Sequence, residues 1–135
     1  YCEILSGIWI GDVNIMHNND FIKDNNITTV INCTIDYKFP DVLNKIRISL
    51  PDNYQQSIDI LNSSKDKIID LIYKNMDDHN ILITCYDGNN ISPYIISLFL
   101  LKYGGSKINK NNIKNIIKSK HEDISMDFDL SVYGM

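Results

Sequence analysis

The segment from Ile81 to Pro93 constrains the fold more than any other part of the chain. Ile81-Leu82-Ile83-Thr84 closes a short apolar, β-branched run beginning at Asn80, the pattern of a strand buried on both faces of a parallel sheet. This strand delivers Cys85 to its carboxyl end. A seven-residue loop follows, Cys85-Tyr86-Asp87-Gly88-Asn89-Asn90-Ile91, with Gly88 near its centre. An apolar helix is predicted from Ser92 to Tyr103, stopped by Gly104-Gly105. Loop amides and a helix amino terminus that converge in this way form an anion cradle. A cysteine at the base of such a cradle has its thiolate stabilised, which is how a thiol becomes a nucleophile towards phosphate esters.

The remaining segments supply a sheet for that strand to sit in. Glu3 to Ile10 alternates in part and ends at Gly11-Asp12, which predicts one strand closing in a turn. Asn18 to Asn26 predicts a short helix with Phe21 and Ile22 inward. Ile27 to Cys33 is a second β-branched run, and Lys45 to Leu50 a third strand stopped by Pro51-Asp52-Asn53. Ser57 to Met76 carries Ile58, Leu61, Ile68, Ile69 and Ile72 near helical spacing. Lys110 to Ser119 and Asp127 to Tyr133 read as two further helices. Strands alternating with helices predict an α/β fold: one domain over residues 1–135, with a central, mainly parallel sheet flanked by helices.

Composition narrows the class. Apolar residues make up 44% of the chain and charged residues 22%, a globular balance. The longest apolar run, Ile95 to Leu101, falls far short of the ~20 residues of a membrane span, so no membrane association is expected. The opening residues do not read as a secretory signal. Cys2, Cys33 and Cys85 form no Cys-x-x-Cys pair and no zinc pattern with His17, His79 or His121. A reduced protein of the cytoplasm or another intracellular compartment, without metal or cofactor, is the expectation. The net charge of −4 argues against nucleic acid as a partner. Alanine is absent, Arg47 is the one arginine, and Ile, Asn and Lys abound, a bias that points to an AT-rich genome such as that of a poxvirus, another large DNA virus or a protist.

The loop resembles the His-Cys-x5-Arg-Ser/Thr signature of cysteine-dependent protein phosphatases, in particular the dual-specificity branch. The likeness runs along nearly the whole chain. Glu3-Ile4-Leu5-Ser6-Gly7-Ile8-Trp9-Ile10-Gly11 is similar to the family's opening strand. Ile27-Thr28-Thr29-Val30-Ile31-Asn32-Cys33-Thr34 is similar to its I-T-x-V-I-N strand, and Ile48-Ser49-Leu50-Pro51-Asp52-Asn53 to its acid loop. Leu100-Leu101-Lys102-Tyr103 is similar to the end of the helix after the signature loop. The resemblance implies Cys85 at the nucleophile position and Asp52 at the general-acid position. It also implies Ser92 as the hydroxyl that assists breakdown of a phosphocysteine intermediate. Residues Cys85, Tyr86, Asp87, Gly88, Asn89, Asn90, Ile91 and Ser92 would form the phosphate loop.

Two departures decide what the resemblance is worth. Ile91 stands where the family has its arginine, and Thr84 where it has histidine before the cysteine. The arginine grips two phosphoryl oxygens in a planar fork. Loss of even a neutral oxyanion donor costs ~10²–10³ in rate, and isoleucine offers neither donor nor charge. Arg47 lies on the strand that leads to the acid loop, away from the cradle. Asp87 adds repulsion: at about 6 Å and an effective dielectric near 20, each unit charge costs roughly 3 kcal/mol. The sequence therefore predicts a pseudophosphatase whose old substrate face binds a protein, a phosphoprotein or a component of a signalling pathway. A weak cysteine-dependent phosphatase and a structural protein that self-associates are the competing readings.

The same residues also have bland roles. Cys85 fits a buried core thiol, Asp52 a turn former after Pro51, Ser92 a helix N-cap and Trp9 a core aromatic. The three histidines carry no signal beyond surface or loop positions.

Overall fold

The computed structural model describes residues 2–5, 7–86, 91–103 and 112–120. Five strands make one sheet in the order β1-β2-β5-β3-β4. Strands β2 (Ile8–Asp12), β5 (Asn80–Cys85), β3 (Ile27–Asn32) and β4 (Asn44–Arg47) are parallel neighbours in that order, and β1 (Cys2–Leu5) pairs antiparallel with β2 at one edge. The strand predicted from the Asn80–Thr84 run is thus the centre of the sheet, with Ile81, Leu82 and Ile83 fully buried.

The single strand expected from Glu3 to Ile10 is two strands. Gly7 turns the chain between them with φ of +83°, and a Cβ there would lie 2.8 Å from Asn80 Oδ1. Glycine alone adopts this backbone without penalty. The partial alternation of this stretch hid the reversal, because both strands bury apolar residues, Ile4 on β1 and Ile8 and Ile10 on β2.

Helix α1 (Asn19–Asp24) is shorter than the predicted Asn18–Asn26 segment. Asn18 caps it by accepting from Phe21 N, and a single 3-10 turn at Ile15–His17 precedes it. Helix α2 (Tyr54–Asn75) begins three residues before the predicted Ser57, since the Asn53 side chain accepts from Gln56 N and acts as N-cap. Strand β4 ends at Arg47 and not at Leu50; Ile48 N still donates to Asn32 O, but Ser49 and Leu50 lie outside the strand. Helix α4 spans Ile113–Lys120. The Gly104-Gly105 stop, Lys110 and the Asp127–Tyr133 helix lie outside the described residues.

The sheet has a core on each face. Ile31, Cys33, Ile81, Ile83 and Cys85 join Leu61, Ile69 and Ile72 of α2, Ile95, Ile96 and Phe99 of α3 (Ile91–Tyr103), and Ile113 and Ile117 of α4. Val30 and Leu82 point to the opposite face, against Met16, Phe21 and Ile22. Trp9 packs on that second cluster, edge-on to Phe21 with centroids 5.2 Å apart, in the core role its sequence position predicts. Helix α3 is buried from Ser92 to Leu100, so it has no polar face, which is why it reads as an unbroken apolar run. Among the described residues no helix is long and apolar enough to cross a membrane.

Candidate functional site

The site is built at the carboxyl ends of the three central strands. Cys85 is the last residue of β5, which runs one residue beyond the end at Thr84 expected from the sequence. Its thiol is buried on the face shared with α2 and α3, while Thr84, by strand alternation, faces the other side. The residue in the family's histidine position is thus fully buried, with its Oγ1 lacking any hydrogen-bond partner.

Two residues stand beside Cys85 across the sheet. Asp12 of β2 is its register partner on one side, and its carboxylate accepts from the backbone N–H groups of Asn14 and Ile15. On the other side Cys33 follows β3, and its N–H donates to Thr84 O at 2.8 Å. In a parallel ladder that bond makes Cys33 the lateral neighbour of Cys85. Burial, and then the negative charge on Cys85, push the Cys33 thiol well above its ordinary range. No local pattern marks Cys33 as a neighbour of the site, although Ile31-Asn32-Cys33 and Ile83-Thr84-Cys85 share an Ile-x-Cys sequence.

Tyr86 fastens the surroundings. Its hydroxyl donates to Leu50 O at 3.2 Å and accepts from Ile35 N at 3.3 Å, and its ring meets Tyr37 edge-on at 5.9 Å. One phenol therefore links the residue after Cys85 to both the segment after β3 and the turn that carries Asp52. Asp52 is exposed on that turn, two residues from Leu50 and just before α2. His17, Asp36, Tyr37 and Lys38 line an open hollow at this end of the sheet.

Ile91 is the first residue of α3, and its partly buried side chain packs against the core cluster that contains Cys85. Ser92 is therefore inside the first helical turn and is not the N-cap; its hydroxyl is fully buried and has no hydrogen-bond partner. Asp87, Gly88, Asn89 and Asn90 lie outside the described residues.

Arg47 is engaged elsewhere. Its Nη1 donates to Thr34 O at 2.8 Å and its Nη2 to Tyr37 O at 2.6 Å, while its guanidinium lies 5.0 Å from the centre of the Phe39 ring. Asn32 Nδ2 donates to the same Tyr37 carbonyl. The chain's one guanidinium thus braces the segment after β3. His79 also has a role that the sequence did not signal: its ring nitrogens meet Thr28 Oγ1 at 2.9 Å and Asn44 Nδ2 at 3.2 Å, tying β3 to β4 at the opposite end of the sheet.

A buried thiol at the end of a central parallel strand, a buried helix that begins six residues on and an acid-bearing turn alongside are the parts of one known architecture. The fold is that of the dual-specificity phosphatases. Human DUSP28 superposes with a TM-score of 0.78 at 10% identity, covering 92% of this chain and 82% of that one. The phosphatase domain of a leucine-rich-repeat protein from Entamoeba histolytica gives 0.71 at 23% identity, covering 92% and 80%. The human tyrosine phosphatase-like serine/threonine/tyrosine-interacting protein gives 0.71 at 14% identity, covering 92% and 85%. No protein-family model and no curated protein sequence matches the chain. The dual-specificity-like fold expected from the sequence is therefore present, at identities where the chains share architecture and little else.

Proposed function

We propose that this protein is a pseudophosphatase: a phosphatase scaffold that binds a protein partner without hydrolysing phosphate. The observation that carries the reading is Ile91. Its apolar side chain packs into the core at the start of α3, where a catalytic scaffold needs a guanidinium aimed at the phosphoryl group. Arg47 is no substitute, because its two terminal nitrogens are donated to Thr34 and Tyr37. The register partner of Cys85 on β2 is also an acid, Asp12, whose carboxylate is taken up by the amides of Asn14 and Ile15.

The binding surface in this reading is the carboxyl end of the sheet, where the open hollow by Tyr37 adjoins the turn held by Tyr86. The partner class is a phosphoprotein or another signalling protein. One structural neighbour, the tyrosine phosphatase-like serine/threonine/tyrosine-interacting protein, carries an interaction in its name, which lends the fold a precedent for this use.

A residual affinity for oxyanions fits the same site, since the buried Ser92 hydroxyl has a bond to give. Without a cation that affinity should be weak. Titration with tungstate by calorimetry is expected to give a dissociation constant in the millimolar range, about −4 kcal/mol. A micromolar constant would overturn the loss of the phosphate grip and favour a working phosphatase site.

A further inference from the structure

We propose that the outer edge of β4 is a docking site for an extended, acidic segment of a partner protein, which adds to the sheet as a further strand. Docking there needs neither the loss nor the survival of phosphate chemistry, so it stands apart from the proposed function. Strand β4 is last in the sheet, with β3 on one side and no described strand on the other. The Ile48 N–H donates to Asn32 O, so the peptide groups of Ile48 face β3. Peptide groups alternate in direction along a strand, which turns the N–H and C=O of Lys45 and Arg47 outward. A row of such groups is a template for another strand. The chain leading into this edge is apolar where it meets water. Ile35, Tyr37 and Leu43, 54%, 42% and 76% exposed, all lie on the connection from β3 to β4. Exposed apolar groups gathered on one segment mark a surface that a partner covers.

The side chains of β4 select the chemistry of that partner. Lys45 pairs in register with Val30 and Arg47 with Asn32, so both cations point to the face on which Val30 shares a core with Met16 and Phe21. Both are exposed, and Lys45 meets no carboxylate at ion-pair distance among the described residues. Arg47 keeps its charge while its nitrogens donate to carbonyls. Ile46 and Ile48 point to the other face, where they pack, partly buried, against the α2–α3 core. An incoming strand with carboxylates at alternate positions sets them beside Lys45 and Arg47. Apolar residues between those carboxylates then extend the core at Ile46 and Ile48. Opposite charges on neighbouring strands stabilise the pairing and like charges weaken it. The same rule disfavours a second copy of this chain. Two β4 edges related by a twofold axis would set Lys45 and Arg47 against each other.

Three capped peptides, each of about ten residues, test this on the intact chain by hydrogen exchange with NMR. The first alternates aspartate with valine. The second holds the same residues in two blocks, and the third alternates lysine with valine. The alternating acidic peptide should slow exchange at the Lys45 and Arg47 amides about tenfold or more. Ile48, already bonded to Asn32, should not change. The other two peptides should leave all three amides as they were. Lys45→Glu should lose the protection and Lys45→Arg should keep it. The peptide comparison on the wild type stands whether or not a variant folds. Equal protection by the two-block or the lysine peptide would overturn the proposal, as would an acidic peptide that leaves Lys45 and Arg47 unprotected. Protection of the same amides by raising the protein concentration alone would also overturn it and assign the edge to a second copy.

Discussion

Arg47 donates from Nη2 to the carbonyl oxygen of Tyr37 at 2.6 Å. This contact, with its companion to Thr34 O, occupies both terminal nitrogens of the chain's only arginine. The arginine serves the fold: it satisfies carbonyls of the irregular segment between β3 and β4, which has no ladder of its own.

Arg47→Ala should accordingly destabilise the protein without touching anion affinity. Two hydrogen bonds from a charged donor and the contact with Phe39 are lost at a site open to solvent, so about 1–2 kcal/mol is expected. Urea denaturation measures the first quantity and tungstate calorimetry the second. A variant of unchanged stability but weaker tungstate binding would place Arg47 in the cradle after all.

Tyr86→Phe removes the hydroxyl that joins Leu50 O to Ile35 N. The ring contact with Tyr37 survives, so the loss should be about 1 kcal/mol. Its local signature is faster amide exchange at Ile35, read by hydrogen exchange with NMR. Unchanged protection at Ile35 would show that the phenol does not hold the segment after β3.

Cys33 makes a prediction about alkaline pH. Its thiol is raised in the folded protein, so between the unfolded thiol pKa of about 8.5 and the folded value the native state holds a proton that the unfolded chain releases. The stability contributed is full below about pH 8.5 and is lost as pH rises through the folded pKa, at up to about 1.4 kcal/mol per pH unit. Under reducing conditions the wild type should therefore lose stability between pH 8.5 and 10 faster than Cys33→Ser does. Parallel curves for the two proteins would contradict the assignment.

Much of this architecture could be read from residues alone, for definite reasons. The strands at Ile27 and Asn80 announced themselves because strands buried on both faces need continuous β-branched runs, and α3 because a helix buried all round is apolar all round. The hairpin of β1 and β2 did not, since its reversal depends on one glycine conformation and not on a pattern. The α2 start was masked by Tyr54, Gln55 and Gln56, which carry no apolar stripe, although Asn53 was a visible cap. At the site, Cys85, Ile91 and the Asp52 turn followed from motif order. The roles of Cys33, Asp12 and Tyr86 depend on which strands and turns become neighbours, a property of the assembled sheet that no local spacing contains.

The account stands on the substitution at Ile91, and one assay panel tests it most directly. Aryl-phosphate turnover is measured for the wild type, Ile91→Arg and Ile91→Arg with Thr84→His, each beside its own Cys85→Ser control, after circular dichroism has shown that each folds. The wild type should match its control. Ile91→Arg should exceed its control detectably while staying poor, because Ile91 now packs into the core and the surrounding side chains are fitted to it. The added histidine at the buried Thr84 position should raise turnover further, since both residues serve one nucleophile. Wild-type turnover that disappears in Cys85→Ser would contradict the central claim and make this protein an enzyme.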